Sequence, residues 1–260
     1  MDYKTIIYSK ENSVLKITLN RSEVYNAIND DMSYELQKAF ADAAFDNDVR
    51  VILLTGNGKA FCSGQDLKAF VSNDKRSFID SIYKRYNPLI KSMREIPKPI
   101  ICKLNGIAAG AGCSLALACD FIIAHYEASL IEAFIGIGLV PDSGSSFFLP
   151  RMLSSHLAFE ITSMGNKISA QKAHELGMIN RLCDDENFEN TVEEIVNYYK
   201  NAPTKSIGLI KKMLNKSCTN DFDTQLDYEA FCQEIAGNTE DFKEGVNAFL
   251  EKRKPVFKGK

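Results

Sequence analysis

The chain has 260 residues, 45% of them hydrophobic and 25% charged, which supplies one sizeable core and rules out a disordered chain. Its formal net charge of −3 gives no general attraction to nucleic acid or to an acidic membrane surface. No run reaches the roughly 20 apolar residues that cross a bilayer, and the opening MDYKTIIYSKENS lacks a signal-peptide core.

In chain order, Ile6 to Tyr8 and Val14 to Leu19 alternate as two strands around the turn residues Asn12 and Ser13. Asn29, Asp30 and Asp31 cap a helix whose Met32, Leu36, Phe40 and Ala43 share one buried face. Val51 to Gly56, Pro99 to Leu104 and Phe121 to Ala124 are short continuous apolar runs, the pattern of strands buried on both faces. Helical stretches separate them, notably Phe78 to Arg94, so the first part reads as a layered α/β core. After Pro150 the pattern turns helical: Ser169 to Glu175 closed by Gly177, then Glu186 to Lys200, Thr204 to Asn215 and Phe222 to Ala236. This divides the chain into an α/β core over 1–190 and a helical region over 191–260. With no low-complexity linker between them, the helical region is expected to pack on a core, its own or a neighbour's.

Two strands end in glycine-rich turns that open into helices. Gly58 to Leu67 follows the Val51 strand, and Asn105 to Leu115 follows the Ile100 strand. Glycine lets backbone approach a ligand, and a helix start leaves N–H groups without intrahelical partners. Two such donors converging on one oxygen would make an oxyanion hole. Either turn alone reads more readily as a tight turn with close packing than as a binding site. A dinucleotide site fits poorly, because Gly110-Ala111-Gly112 continues as Cys113-Ser114-Leu115 without the third glycine of GxGxxG, and no phosphate loop of the GxxxxGK[ST] kind occurs.

Cysteines at 62, 102, 113, 119, 183, 218 and 232 form no CxxC pair, and the histidines, His125, His156 and His174, show no pattern. No metal is expected, and the cysteines read as reduced core thiols of a cytoplasmic protein.

The segments Ala60 to Leu67, Asn105 to Asp120 and Gly136 to Pro150, in this order and spacing, resemble the crotonase superfamily, the enoyl-CoA hydratase/isomerase family. The resemblance extends to the closing Glu244 to Arg253. It implies a crotonase (ClpP-like) fold of repeated ββα units, a helical C-terminal trimerisation region, and a homotrimer or dimer of trimers. It also implies an acyl-CoA thioester substrate, with coenzyme A part of the substrate and no separate cofactor. By position, the backbone N–H groups of Gln65 and Ala111 are the implied oxyanion donors. Cys62, Gly64, Asp66, Leu67, Gly110, Gly112, Ser114 and Phe134 are the implied substrate-binding residues around them. The CoA is expected along the Cys62 to Leu67 backbone, with Lys59 or Lys68 near its phosphates.

The resemblance is broken at the acid/base positions. Hydratases of the family carry a glutamate where this chain has Ser114 and a second where it has Phe134. Asp142, in Pro141-Asp142-Ser143-Gly144, has an ordinary turn composition, yet it stands where family isomerases hold their single acid/base. A lone carboxylate can take a proton beside the thioester and return it two carbons further on, which moves a double bond without activated water. An apolar pocket is expected to raise its pKa. Glu132 is the fallback base, expected to face solvent or a subunit contact, and Ser114 to be satisfied locally or to hold a water. Arg85 to Ile90 together with Asp142 is most similar to the ring-epoxide isomerases of phenylacetyl-CoA degradation, and Pro141 to Phe147 to Δ3,Δ2-enoyl-CoA isomerases. The expected activity is therefore acyl-CoA isomerisation in phenylacetate or fatty-acid catabolism. Hydration of a 2-enoyl-CoA is the alternative within the family, and a non-catalytic acyl-CoA-binding protein the alternative outside enzymes.

Overall fold

The computed structural model describes residues 3–71 and 77–260. It opens with a hairpin of β1 (Ile6–Glu11) and antiparallel β2 (Val14–Leu19). Asn12 and Ser13 take φ of 48° and 64°, the two-residue turn whose twist matches the strands it joins. Asn29 accepts the Met32 N–H at 2.9 Å and starts α1 (Asp30–Phe45), which buries Met32, Leu36, Phe40 and Ala43 as their spacing predicts.

The chain then makes one move three times: a long strand, a short strand in a second sheet, then a helical segment. First come β3 (Val51–Gly56), β4 (Ala60–Cys62) and α2 (Leu67–Val71). After α3 (Phe78–Ser81), a π turn over Ile82–Tyr86 and α4 (Asn87–Glu95), the second pass runs β5 (Ile100–Leu104), β6 (Ile107–Ala109) and α5 (Ala111–Leu117). The third runs β7 (Phe121–His125), β8 (Ser129–Ile131) and a 3-10 helix over Ala133–Ile137. These are the expected ββα units. Helices α6 (Ser145–Met152) and α7 (Ser155–Met164), β9 (Ile168–Ser169), α8 (Ala170–Glu175) and β10 (Arg181–Cys183) follow. The chain ends in α9 (Phe188–Asn201), α10 (Thr204–Ser217), α11 (Phe222–Gly237) and α12 (Glu240–Leu250), the helical C-terminal region.

The main sheet has the order β1-β2-β3-β5-β7-β10 and is parallel beyond its first hairpin. The second sheet, β4-β6-β8-β9, turns antiparallel only at β9. Every residue of β3 is buried because both of its faces are covered. Ile52 and Leu54 join the core that includes Leu36 and Phe40, while Val51 and Leu53 face Phe188, Val192 and Val196 of α9. The boundary expected at 190 therefore falls inside α9, since that helix completes the layer over β3.

The helix expected over Phe78 to Arg94 is interrupted. Pro88 has no N–H for the Lys84 carbonyl, and its ring crowds that carbonyl. The backbone widens instead, Asn87 N–H donating to Ile82 O five residues back. Gln37 Nε2 donates to the freed Lys84 carbonyl at 3.2 Å and to Arg85 O at 3.0 Å, and Ser33 Oγ donates to Arg85 O at 3.1 Å.

The C-terminal region packs on its own core. Lys211 Nζ donates to Met93 O and to Asp120 at 2.7 Å, and Arg50 donates to Phe257 O at 3.0 Å. Among the described residues no helix is long and apolar enough to cross a membrane. Leu54→Ala, at a fully buried position of β3, should cost about 2–5 kcal/mol, read as a lower urea midpoint at unchanged slope.

Candidate active site

Strands β4 and β6 lie side by side, and the chain leaves both at the same end of the second sheet. Beyond β4, Ser63 N–H donates to Tyr25 O at 2.9 Å, Ile28 N–H to Gly64 O at 2.7 Å, and Asp66 N–H to Ile28 O at 2.9 Å. This bridge to Ile28 uses the groups on either side of the Gln65 N–H, which meets no acceptor among the described residues. Beyond β6, Gly110 takes a φ of 51° and donates to Ile131 O at 2.8 Å. Ala111 is the first residue of α5, so its N–H has no intrahelical partner either.

The turns touch backbone to backbone. A Cβ built on Gly64 would stand 2.7 Å from Ala109 O and 3.4 Å from Ala111 N, and Gly64 itself has a φ of 94°. A Cβ on Gly112 would stand 2.2 Å from Cys62 O. Glycine at both places is what allows the Gln65 and Ala111 N–H groups to lie close together.

Both donors border a cavity of about 340 Å³. Gly64, Gln65, Gly110 and Ala111 form one wall, and Leu67, Phe134, Ile137 and Leu139 supply apolar surface. Asp142 is the one carboxylate among the described lining residues. Four residues expected at the substrate do not line it: Cys62, Asp66, Gly112 and Ser114. The Cys62 thiol donates to Asn26 O at 3.2 Å, and burial pushes its pKa up to about 12, which leaves no thiolate for chemistry. Burial also pushes the Asp66 carboxyl up, but the Ala69 N–H and Arg21 at 3.0 Å outweigh it, so it stays ionised as the cap of α2. Gly112 packs on the Cys62 backbone. Ser114 is fully buried, its Oγ 2.7 Å from Ser145 Oγ and 3.2 Å from Asp142 O. Lys59 and Lys68 are exposed and also lie outside the lining.

Asp142 is held by Ser143, whose Oγ donates to its Oδ1 at 2.7 Å. Burial raises its pKa, against opposition from that hydroxyl and from the Arg85 guanidinium. Glu132 departs from expectation: it faces neither solvent nor a free surface but is 1% exposed. It follows directly on β8 and lies under the first turn of α6, where buried Ser145 donates to its Oε1 at 2.9 Å. Burial raises its pKa too, with Asp142 adding to the effect and Ser145 and Cys113 opposing it. Glu132, Ser145, Ser114 and the Asp142 carbonyl thus form one buried polar chain behind the cavity wall.

The interrupted helix supplies residues that periodicity did not reveal. Ser81, Ile82, Arg85 and Tyr86 all line the cavity. Tyr86 donates its hydroxyl to Gln65 Oε1, and Gln65 Nε2 in turn donates to Ile28 O at 3.3 Å, which fixes the side chain of the first donor residue. Arg85 is paired with Asp30 at 2.6 Å. Pro88 was the visible sign that this helix would not run straight.

The family model for enoyl-CoA hydratase/isomerase matches residues 9–260. A protein of Escherichia coli named 1,2-epoxyphenylacetyl-CoA isomerase is 42% identical over 98% of both chains. One of Rhodobacter capsulatus, named as a probable enoyl-CoA hydratase, is 38% identical over the whole of both. The crystal structure of an enoyl-CoA hydratase from Bacillus anthracis superposes with a TM-score of 0.93 at 32% identity, covering 99% of this chain and all of that one.

Gly112→Ala puts a methyl group into the Cys62 carbonyl. It should cost about 1–3 kcal/mol by overpacking and pull the Ala111 donor out of line, seen as a lower melting temperature together with a larger loss of kcat than of ligand affinity.

Proposed function

The chain belongs to the enoyl-CoA hydratase/isomerase family, and from that premise we propose that it is an acyl-CoA isomerase with Asp142 as its single acid/base. The observation that carries this reading is that Asp142 alone among the described carboxylates lines the cavity that Gln65 and Ala111 border. The thioester oxygen sits between the two N–H groups, which stabilise the negative charge that appears when the neighbouring carbon loses its proton. Asp142 takes that proton and returns it two carbons further along, so the double bond moves and no water is consumed. In the same cavity an enolate beside a strained ring could drive opening of an epoxide, the substrate type in the Escherichia coli relative's name.

Hydration fits less well. Of the two positions where family hydratases carry glutamates, Ser114 is sealed behind the wall with its hydroxyl engaged, and Phe134 presents an aromatic ring to the cavity. A silent acyl-CoA-binding protein has no use for a desolvated carboxylate in this place, since burying it costs stability. The coenzyme A lies along the Cys62 to Leu67 backbone in this reading. Exposed Phe231, Phe242, Phe249 and Leu250 on α11 and α12 suit a homotrimer or a pair of trimers, and the six buried unpaired cysteines suit a reducing cytoplasm.

Mass spectrometry of 3-enoyl-, 2-enoyl- and ring-epoxide CoA thioesters in D2O separates the readings. Isomerisation exchanges protons without adding the mass of water, and hydration adds it. Asp142→Asn should lower turnover at least ~100-fold with CoA affinity kept; full turnover in that variant would end the proposal. The pH profile carries a sign. Burial makes Asp142 hold its proton to a higher pH, so the base form is lost as pH falls through a value above 3.8, the ordinary aspartate figure. The acid limb of kcat/KM should therefore lie above that figure.

A further inference from the structure

Two side-chain polar atoms in the cavity wall have no hydrogen-bond partner among the described residues. They are Ser81 Oγ and Arg85 Nη2, both enclosed. Both residues line the cavity, one helical turn apart, and they are 6% and 3% exposed. Leu67, Phe78, Ile82 and Leu139 give the same cavity apolar surface. A buried donor left without an acceptor costs stability, more so when it belongs to a charged group, and a native fold retains such groups where something else completes them.

The charge of Arg85 is already matched, because its Nη1 donates to Asp30 at 2.6 Å. What remains open is a donor rather than a charge. Tyr86 does not complete it: its hydroxyl donates to Gln65 Oε1, and Arg85 Nη2 reaches no acceptor among the described residues. A full anion would meet Asp30 and Asp142 beside the same guanidinium, Asp142 being close enough to feel its charge. A neutral acceptor oxygen, with two lone pairs, suits Arg85 Nη2 and the Ser81 hydroxyl together.

We propose that Ser81 and Arg85 bind an uncharged oxygen on the acyl group beyond its α-carbon, so that the substrate class is an oxygen-bearing acyl-CoA (epoxide, ether, ketone or alcohol) rather than a plain hydrocarbon chain. The inference rests on the reading that this cavity takes the acyl group. A hydrocarbon chain would leave both groups unsatisfied, and an enzyme for such chains would be served better by leucine at either position.

The test uses 3-enoyl-CoA thioesters of equal length in which one chain methylene is replaced by an ether oxygen, moved stepwise along the chain. Wild-type protein should prefer one ether position over its all-carbon counterpart, by roughly tenfold or more in kcat/KM, the range of a hydrogen bond to a charged donor. Ser81→Ala and Arg85→Met should each shrink that ratio, and Arg85→Lys, which keeps a charge beside Asp30, should retain part of it. Absence of any ether preference in wild type, or its survival in both Ser81→Ala and Arg85→Met, overturns the inference. Melting curves identify a variant that fails to fold, and Ser81→Ala, which removes one atom, carries the test if Arg85→Met does. If wild type isomerises neither thioester of a pair, the isomerase reading fails instead. Calorimetric affinities of the matching saturated ether and all-carbon acyl-CoAs then decide the oxygen site by the same ratio.

Discussion

The structure depends on a contact from which side chains are excluded. The turn after β4 and the turn after β6 press together through Gly64 and Ala109, and the first turn of α5 rests on the Cys62 carbonyl through Gly112. Because no Cβ intervenes, two backbone N–H groups from segments over forty residues apart in sequence face one small volume, and helix α5 points its positive end at the same place. The sheets are the means of holding that contact: parallel β4 and β6 fix the ends of the turns, and the main sheet fixes β4 and β6. Side-chain identity at the donors matters little, as alanine at 111 illustrates.

A second constraint acts through polar groups that the substrate does not meet. Asp142 projects from a turn tied by Ser114 to α5 and, through Ser145, to Glu132. Helix α5 and the Asp142 turn are therefore held by one buried chain, and they keep their spacing as a unit. Burial raises the pKa of both Asp142 and Glu132, so the folded state binds protons more readily than the unfolded one at these two sites. That advantage is full below the ordinary carboxylate range and is lost as pH rises through the raised values. Ionising Asp142 in its buried place is therefore a cost the rest of the fold must offset.

How much of this could be read from the residues follows a physical division. Continuous apolar runs such as Val51 to Gly56 announced buried strands, and Asn29 announced a helix start, because period and capping are local properties. The strands of the second sheet, two or three residues each, are too short to show a period. Helices α6 and α7 were also not anticipated, one of them carrying Pro150 within it. At the site, the backbone donors were legible because glycine spacing and the family pattern mark them. The burial of Glu132 was not, because a carboxylate after a strand reads as a surface group until α6 is seen to cover it. Ser81, Arg85 and Tyr86 were hidden for another reason: apolar periodicity passes over polar side chains on the buried side of a helix, and the π turn among them leaves no mark in the sequence beyond Pro88.

That π turn gives the cavity wall an unusual kind of adjustability. In an α-helix each residue advances the side-chain direction by about 100°, so one widened turn rotates all that follows relative to all that precedes. The side chains of α3 and the turn therefore keep one phase and those of α4 another, joined at Pro88. A deletion of one residue upstream of that proline, or its replacement by a residue with an N–H, would change which positions look into the cavity without altering a single cavity residue. Within this fold, new acyl pockets can arise by re-phasing a helix as readily as by exchanging its side chains, while the two backbone donors opposite stay where they are.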